Sequence, residues 1–124
     1  MPTVSNLTPG LTLALSSTDR KAAAAWYEKH LGFSLMYDAE EIGWCEMATH
    51  MDGITVGFAE NWQPKPGNCV PVWAVTDLDA ARAALEAEGV AFDGPTEVNE
   101  GMVKLATFKD RDGNAMMLSE DLRG

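Results

Sequence analysis

A chain of 124 residues, 46% apolar and 23% charged, is long enough for one domain with a real core and has an ordinary globular composition. Its net charge of −10 excludes nucleic acid as a partner, since phosphates demand a basic face, and argues equally against an anionic membrane surface. The acidity is read as serving solubility, and it is also compatible with a cationic ligand. No apolar run approaches the roughly 18 residues of a membrane span. The opening MPTVSNLTPG shows no basic region followed by an apolar core, so no signal peptide is visible and a cytoplasmic location is expected. Cys45 and Cys69 have no close or metal-type spacing and read as buried, reduced thiols.

In chain order, residues 1–10 form a polar arm. Leu11 to Leu15 alternates as a half-buried strand, with Thr12 and Ala14 on the face opposite the leucines. Asp19 is a helix N-cap candidate, and Arg20 to Leu31 is an alanine-rich helix closed by Gly32. Ala22, Ala25, Trp26 and Lys29 fall on one stripe of that helix at helical spacing. Strands follow at Phe33 to Tyr37, Trp44 to Ala48 and Ile54 to Ala59, separated by an acidic turn and a DG turn. In the third strand Trp44, Glu46 and Ala48 share one face, and in the fourth Thr55, Gly57 and Ala59 do. The stretch NWQPKPGN (residues 61–68) is a connector, since its prolines and glycine break both helix and ladder.

The pattern then repeats. Val70 to Val75 is a strand, Asp77 an N-cap candidate, Leu78 to Glu88 a helix with Leu78, Ala81 and Leu85 in register, and Gly89 its stop. Val90 to Phe92 is a short strand, residues 94–101 a loop, and Met102 to Phe108 with Ala115 to Leu118 a closing hairpin. Its turn, Asp110-Arg111-Asp112-Gly113, suits a type I turn ended by a left-handed glycine. The signals superpose at an offset of about 58, Asp19 on Asp77, which indicates duplication. The fold class is α+β, two tandem βαβββ modules whose curved sheets enclose a shared cleft. A single domain over 1–124 is expected, with module one at about 7–60, connector 61–69 and module two at about 70–120.

Three segments carry a family resemblance. DRKAAAAWYEKHLGF (residues 19–33), AVTDLDAARAALEAEGVAF (74–92) and FKDRDGN (108–114) resemble the first helix, second helix and final hairpin of the vicinal oxygen chelate superfamily. That family includes glyoxalase I, extradiol dioxygenases, fosfomycin resistance enzymes and bleomycin resistance proteins. Arg111 stands where the family usually has proline in its D-P-D-G-N turn, which removes a preset φ without forbidding the turn. The run NCVPVWAVTDLD (68–79) is similar to a strand of the metal-free bleomycin resistance branch, whose members sequester a drug between two subunits.

The resemblance implies four metal-ligand positions, and here they hold Thr12, Gly57, Val70 and Met117. None of these is the carboxylate or imidazole that such cations require. No metal and no cofactor are therefore expected. His30 and His50 read as surface histidines, and Glu60 as a solvated rim residue. Without a metal the cleft becomes an apolar, aromatic pocket. Strand alternation and the family's orientation place Thr12, Trp44, Glu46, Gly57, Val70, Val72, Met102, Lys104 and Met117 along it. Trp62, in the connector, either rims it or anchors the loop, and Trp73 packs beneath the second helix.

Trp44 can stack on a planar or cationic ligand. Glu46 can pair with a ligand cation or act as a general base. The alternative is a third strand turned over, with Trp44 in the core and Glu46 in solvent. The expected function is metal-independent binding of a small molecule, aromatic or cationic, by a homodimer serving drug sequestration or resistance. The competing function is a lyase or isomerase of the glyoxalase type, with Glu46 as base or with a metal site placed differently in the sequence.

Overall fold

Asp19 and Asp77 each begin a helix in the same way. Both take extended backbone, and their carboxylates accept from the amides of Ala22 (3.1 Å) and Ala80 (3.0 Å), three residues on. Each cap satisfies an amide that would otherwise lack a partner. The next amide in each unit goes to a glutamate further along the chain, Arg20 N to Glu60 Oε2 at 2.8 Å and Leu78 N to Glu120 Oε1 at 2.7 Å. The expected duplication is thus visible in hydrogen bonds as well as in element order.

The computed structural model describes residues 3, 5–60 and 70–123. Trp62, Cys69 and the rest of the connector lie outside the described residues. The chain divides into two compact units, Met1–Gln63 and Pro64–Gly124. The first runs β1 (Leu11–Ser16), α1 (Arg20–Leu31), β2 (Ser34–Ala39), β3 (Trp44–Ala48) and β4 (Ile54–Ala59). Its four-stranded sheet has the order β1-β4-β3-β2, with β1 parallel to β4 and the other pairs antiparallel. The second runs β5 (Val72–Ala74), α2 (Leu78–Ala87), β6 (Glu97–Asn99), β7 (Val103–Lys109) and β8 (Ala115–Asp121), in the equivalent order β5-β8-β7-β6. This is the α+β, twice-βαβββ architecture expected.

Each helix covers one face of its own sheet. Under α1 lie Cys45, Met47, Val56 and Phe58, all essentially inaccessible, with the Tyr27 ring tilted against Phe58 at a centroid separation of 4.8 Å. The buried stripe of α1 is Arg20, Ala23, Ala24 and Tyr27, not the stripe through Ala22, Ala25, Trp26 and Lys29. Four consecutive alanines carry no phase, so Tyr27 sets it, and Trp26 remains half-buried beside His30 at 4.7 Å. Leu78 and Leu85 anchor α2, and Trp73 is buried with Met116 as expected, its Nε1 donating to the thioether at 3.4 Å.

Arg20 is buried where α1 begins. Its guanidinium binds Asp38 in a bidentate pair (2.6 and 2.8 Å) and Glu60 at 2.9 Å. These hydrogen bonds, Asp38 foremost, raise the Arg20 pKa and hold the Asp38 carboxyl below its ordinary range. Glu60 is therefore a structural partner of Arg20 and not a solvated rim residue. The Cys45 thiol donates to the Arg20 carbonyl at 3.6 Å, and burial pushes its pKa up, which leaves it an inert core group.

The second unit departs from expectation at its edges. Val90 to Phe92 is no strand but a single bridge from Phe92 to Phe108. The edge strand is instead β6, Glu97–Asn99, within what reads as a loop, because its three residues are all exposed and show no apolar alternation. β5 is shorter than Val70 to Val75, since Pro71 has no N–H for a ladder and only its carbonyl pairs, with Met117 N at 2.9 Å. The closing turn is as expected. Gly113 has φ +84° and donates to Asp110 O at 3.1 Å. The Asp110 carboxylate receives Asp112 N, Asn114 N and Asn114 Nδ2 at 2.8–2.9 Å.

Candidate functional site

The face of the first sheet opposite α1 carries a continuous row of hydrogen bonds across all its strands. Thr12 on β1 lies beside Thr55 on β4, Oγ1 to Oγ1 at 2.8 Å. Thr55 Oγ1 donates to Glu46 Oε2 on β3 at 2.9 Å, and Tyr37 on β2 donates its hydroxyl to Glu46 Oε1 at 2.8 Å. The Trp44 indole N–H points to the same place, 3.2 Å from the Tyr37 hydroxyl and 3.3 Å from Glu46 Oε1. Strand register makes this row possible, because Thr12 pairs with Thr55, Glu46 with Gly57 and Tyr37 with Glu46.

Trp44 and Glu46 are thus on the helix-free face and the third strand is not turned over, since Cys45 and Met47 take the core side. Gly57 explains how the indole fits. A Cβ there would lie 2.0 Å from the Trp44 ring, so only glycine leaves room for the ring against β4. Tyr37 and Thr55 were not among the expected site residues. Thr55 is readable from alternation in β4. Tyr37 is not, because a bulge between Leu35 and Tyr37 shifts the register of β2. That extra residue puts both Met36 and Tyr37 on the helix-free face, where plain alternation would send Tyr37 under the helix.

Beside Glu46 the same face is hollowed into an open groove of about 490 Å³. Thr12, Thr55 and Glu46 supply its polar wall, and Leu11, Met36 and Ile54 its apolar one. Its volume falls in the ordinary range for small-molecule sites, roughly 300–1,000 Å³.

In the second unit Val72 and Met117 are register partners on the helix-free face, as alternation predicts. Val70 precedes β5 and is half-buried. Met102 is not in a strand at all. It closes the turn from Asn99, whose carbonyl it meets at 2.9 Å, and its side chain is largely exposed. Lys104 lies on the other face from that expected. It shares its parity with the buried Ala106 and Phe108, and it reaches the first turn of α2 to bind Asp79 at 2.9 Å. That hydrogen bond raises the Lys104 pKa. The slip arises because β7 starts at Val103, and Val103, Leu105 and Thr107 take the helix-free face.

The family's metal positions do not fit a metal. The Thr12 hydroxyl is bonded to Thr55, Gly57 lies under the Trp44 ring, and Val70 and Met117 offer no hard donor. Among the described residues, no group of three or more His, Cys, Asp or Glu is placed to hold a metal ion.

The model of the Glyoxalase/Bleomycin resistance protein/Dioxygenase superfamily matches residues 11–118. Solved structures share the fold. TnmS3, an antibiotic binding protein from Streptomyces sp. CB03234, aligns with a TM-score of 0.75 at 24% identity over 98% of this chain and 99% of its own. A superfamily member from Sphaerobacter thermophilus DSM 20745 aligns with a TM-score of 0.80 at 21% identity, over 93% and 98%. TioX from Micromonospora sp. ML1 gives 0.71 at 19% identity, over 91% and 98%. No curated protein matches the sequence.

Proposed function

The chain belongs to the glyoxalase/bleomycin resistance protein/dioxygenase superfamily, and on that premise we propose that it is a metal-independent small-molecule binding protein. It holds its ligand unchanged, in the service of sequestration or drug resistance. The observation that carries this reading is the set of bonds at Glu46. Its carboxylate accepts from Tyr37, Trp44 and Thr55, which occupies most of its roughly four lone-pair sites. A general base needs an acceptor site aimed at the substrate's proton. A carboxylate braced from three sides, in the wall of a groove and next to an indole plane, is better suited to orient a ligand than to deprotonate one.

The functional unit in this proposal is the whole chain as a single domain, working as a cytoplasmic homodimer. A structural neighbour is described as antibiotic binding, which makes antibiotics the first ligand class to examine. The test is titration of intrinsic tryptophan fluorescence against an antibiotic panel, with mass spectrometry of the recovered compound and elemental analysis of the dialysed protein. The expected result is saturable binding, an unaltered compound and no stoichiometric divalent metal. Conversion of the compound with loss of turnover in Glu46→Gln would establish the lyase or isomerase reading instead. A retained stoichiometric metal would overturn metal independence.

A further inference from the structure

The hydroxyl protons of Thr12, Thr49 and Thr55, all in the first unit's groove, have determinable directions. Thr55 donates its single proton to Glu46 Oε2. Its contact with Thr12 at 2.8 Å must therefore run the other way, with Thr12 donating. Thr49, also in the groove wall, gives its proton to backbone carbonyls at the β3–β4 turn, Ile54 O at 2.7 Å and Met51 O at 3.2 Å. The Tyr37 proton and the Trp44 N–H converge on Glu46. The side-chain donors of Thr12, Tyr37, Trp44, Thr49 and Thr55 are consequently spent inside the protein, and Thr8 adds one neutral hydroxyl to the wall. What the bonded groups still present are lone pairs on the threonine oxygens and on the carboxylate. Among the described residues the other charged side chain in the wall is another carboxylate, Asp52, with no Lys, Arg or His beside it.

From this we infer that the groove selects its ligand by hydrogen-bond polarity: it takes a compound bearing a protonated amine beside an apolar body and rejects anions. The inference rests on the binding reading above and specifies the ligand class. The ammonium or another N–H donor meets Glu46 and the acceptor face of Thr12, since an ammonium carries three donors and no acceptor. The apolar body lies on Met36, Leu11 and Ile54, and the flexible thioether accommodates ring systems of different outline. A carboxylate or phosphate on the ligand would find no charged donor among these side chains and would face two fixed negative charges. The chain's net charge of −10 adds a long-range field of the same sign, which raises the local concentration of cations.

The experiment is calorimetric titration of the full chain, at neutral pH and low salt, with three probes of one ring system: naphthylmethylamine, naphthylmethanol and naphthoate. The amine should bind about tenfold more tightly than the alcohol, the scale of a hydrogen bond to a charged group, and naphthoate should not bind measurably. In Glu46→Gln, checked for fold by circular dichroism, the amine should fall to the level of the alcohol. The wild-type series decides by itself if that variant does not fold. Equal affinities for amine and alcohol, or naphthoate binding as tightly as the amine, would overturn the inference. Binding by none of the three would overturn it too. The antibiotic panel then separates the two failures, because continued titration by an antibiotic leaves the binding reading standing while the polarity rule is gone.

Discussion

Gly57→Ala is the substitution that most directly tests the placement of Trp44. The added Cβ would stand 2.0 Å from ring atoms of Trp44, while ordinary carbon contacts begin near 3.5 Å, so the indole must move by more than an ångström. The movement costs the ring its packing, about 1–3 kcal/mol for overpacking of this kind. It also costs the N–H its bonds to Tyr37 and Glu46, about 1 kcal/mol more. Against this, Gly57 is not in the left-handed region, so alanine meets no backbone strain and recovers about 0.5–1 kcal/mol of chain entropy. The net expectation is a loss of about 2 kcal/mol in urea denaturation, with a red shift of tryptophan emission. In a Trp44→Ala background the obstacle is absent, and the same Gly57→Ala change should be neutral or stabilising by about 0.5 kcal/mol. The coupling between the two sites is therefore about 2 kcal/mol, well above the roughly 0.5 kcal/mol scatter of independent sites. Additive effects of Gly57→Ala and Trp44→Ala would refute the close packing of the indole on Gly57.

The remaining predictions concern the frame. Asp19→Ala and Asp77→Ala should each cost about 1 kcal/mol, the usual worth of an N-cap, and near-equal losses in chemical denaturation would confirm that the duplicated caps are equivalent. Asp110→Ala strips the closing turn of three hydrogen bonds from a buried carboxylate and should lower stability by about 2 kcal/mol; an unchanged midpoint would show that the turn holds without it. The depressed Asp38 pKa, set first by its hydrogen bond to Arg20, contributes stability that is complete above the unfolded carboxylate pKa near 4. That contribution is lost as pH falls through the lower folded value. Thermal melts of Asp38→Asn should accordingly show a lower midpoint than wild type at pH 7 and a shallower decline below about pH 4; parallel pH profiles would contradict this.

The elements with strong periodic or capping signals were legible in the sequence. Both helices, β1, β3, β4, β8 and the DRDGN turn follow from alternation, N-cap aspartates and left-handed glycines. For β3, alternation paired Trp44 with Glu46 and Cys45 with Met47, while the choice of which pair faces the helix was left open by the sequence. Three things were not legible. β6 has no apolar pattern, because an exposed edge strand has nothing to bury. Lys104 was set on the wrong face because the strand start slipped by a single residue, and a period of two turns any such slip into a change of face. Tyr37 was missed because a bulge has no composition of its own. The most densely bonded group of the candidate site, Glu46, was therefore a candidate from the chain alone, while one of its donors, Tyr37, was not.

Register carries the comparison of the two units further. Glu46 lies opposite Gly57 in β3–β4, and Thr107 lies opposite Met117 in β7–β8, so Thr107 occupies the place of Glu46. By the same step Leu105, opposite Ser119, occupies the place of Trp44, which lies opposite Ala59. The duplicated frame has kept its caps and its strand order, yet the two helix-free faces have diverged in chemistry. One carries an indole, a carboxylate and a row of hydroxyls, and the other carries Leu105, Thr107, Met117 and Val72. A duplication that preserved function in both halves would have kept the carboxylate twice. The carboxylate of Glu46 has no counterpart at Thr107 in the second unit. A frame built twice can thus keep its caps and strand order in both copies while the side chains at matching register positions differ in chemistry.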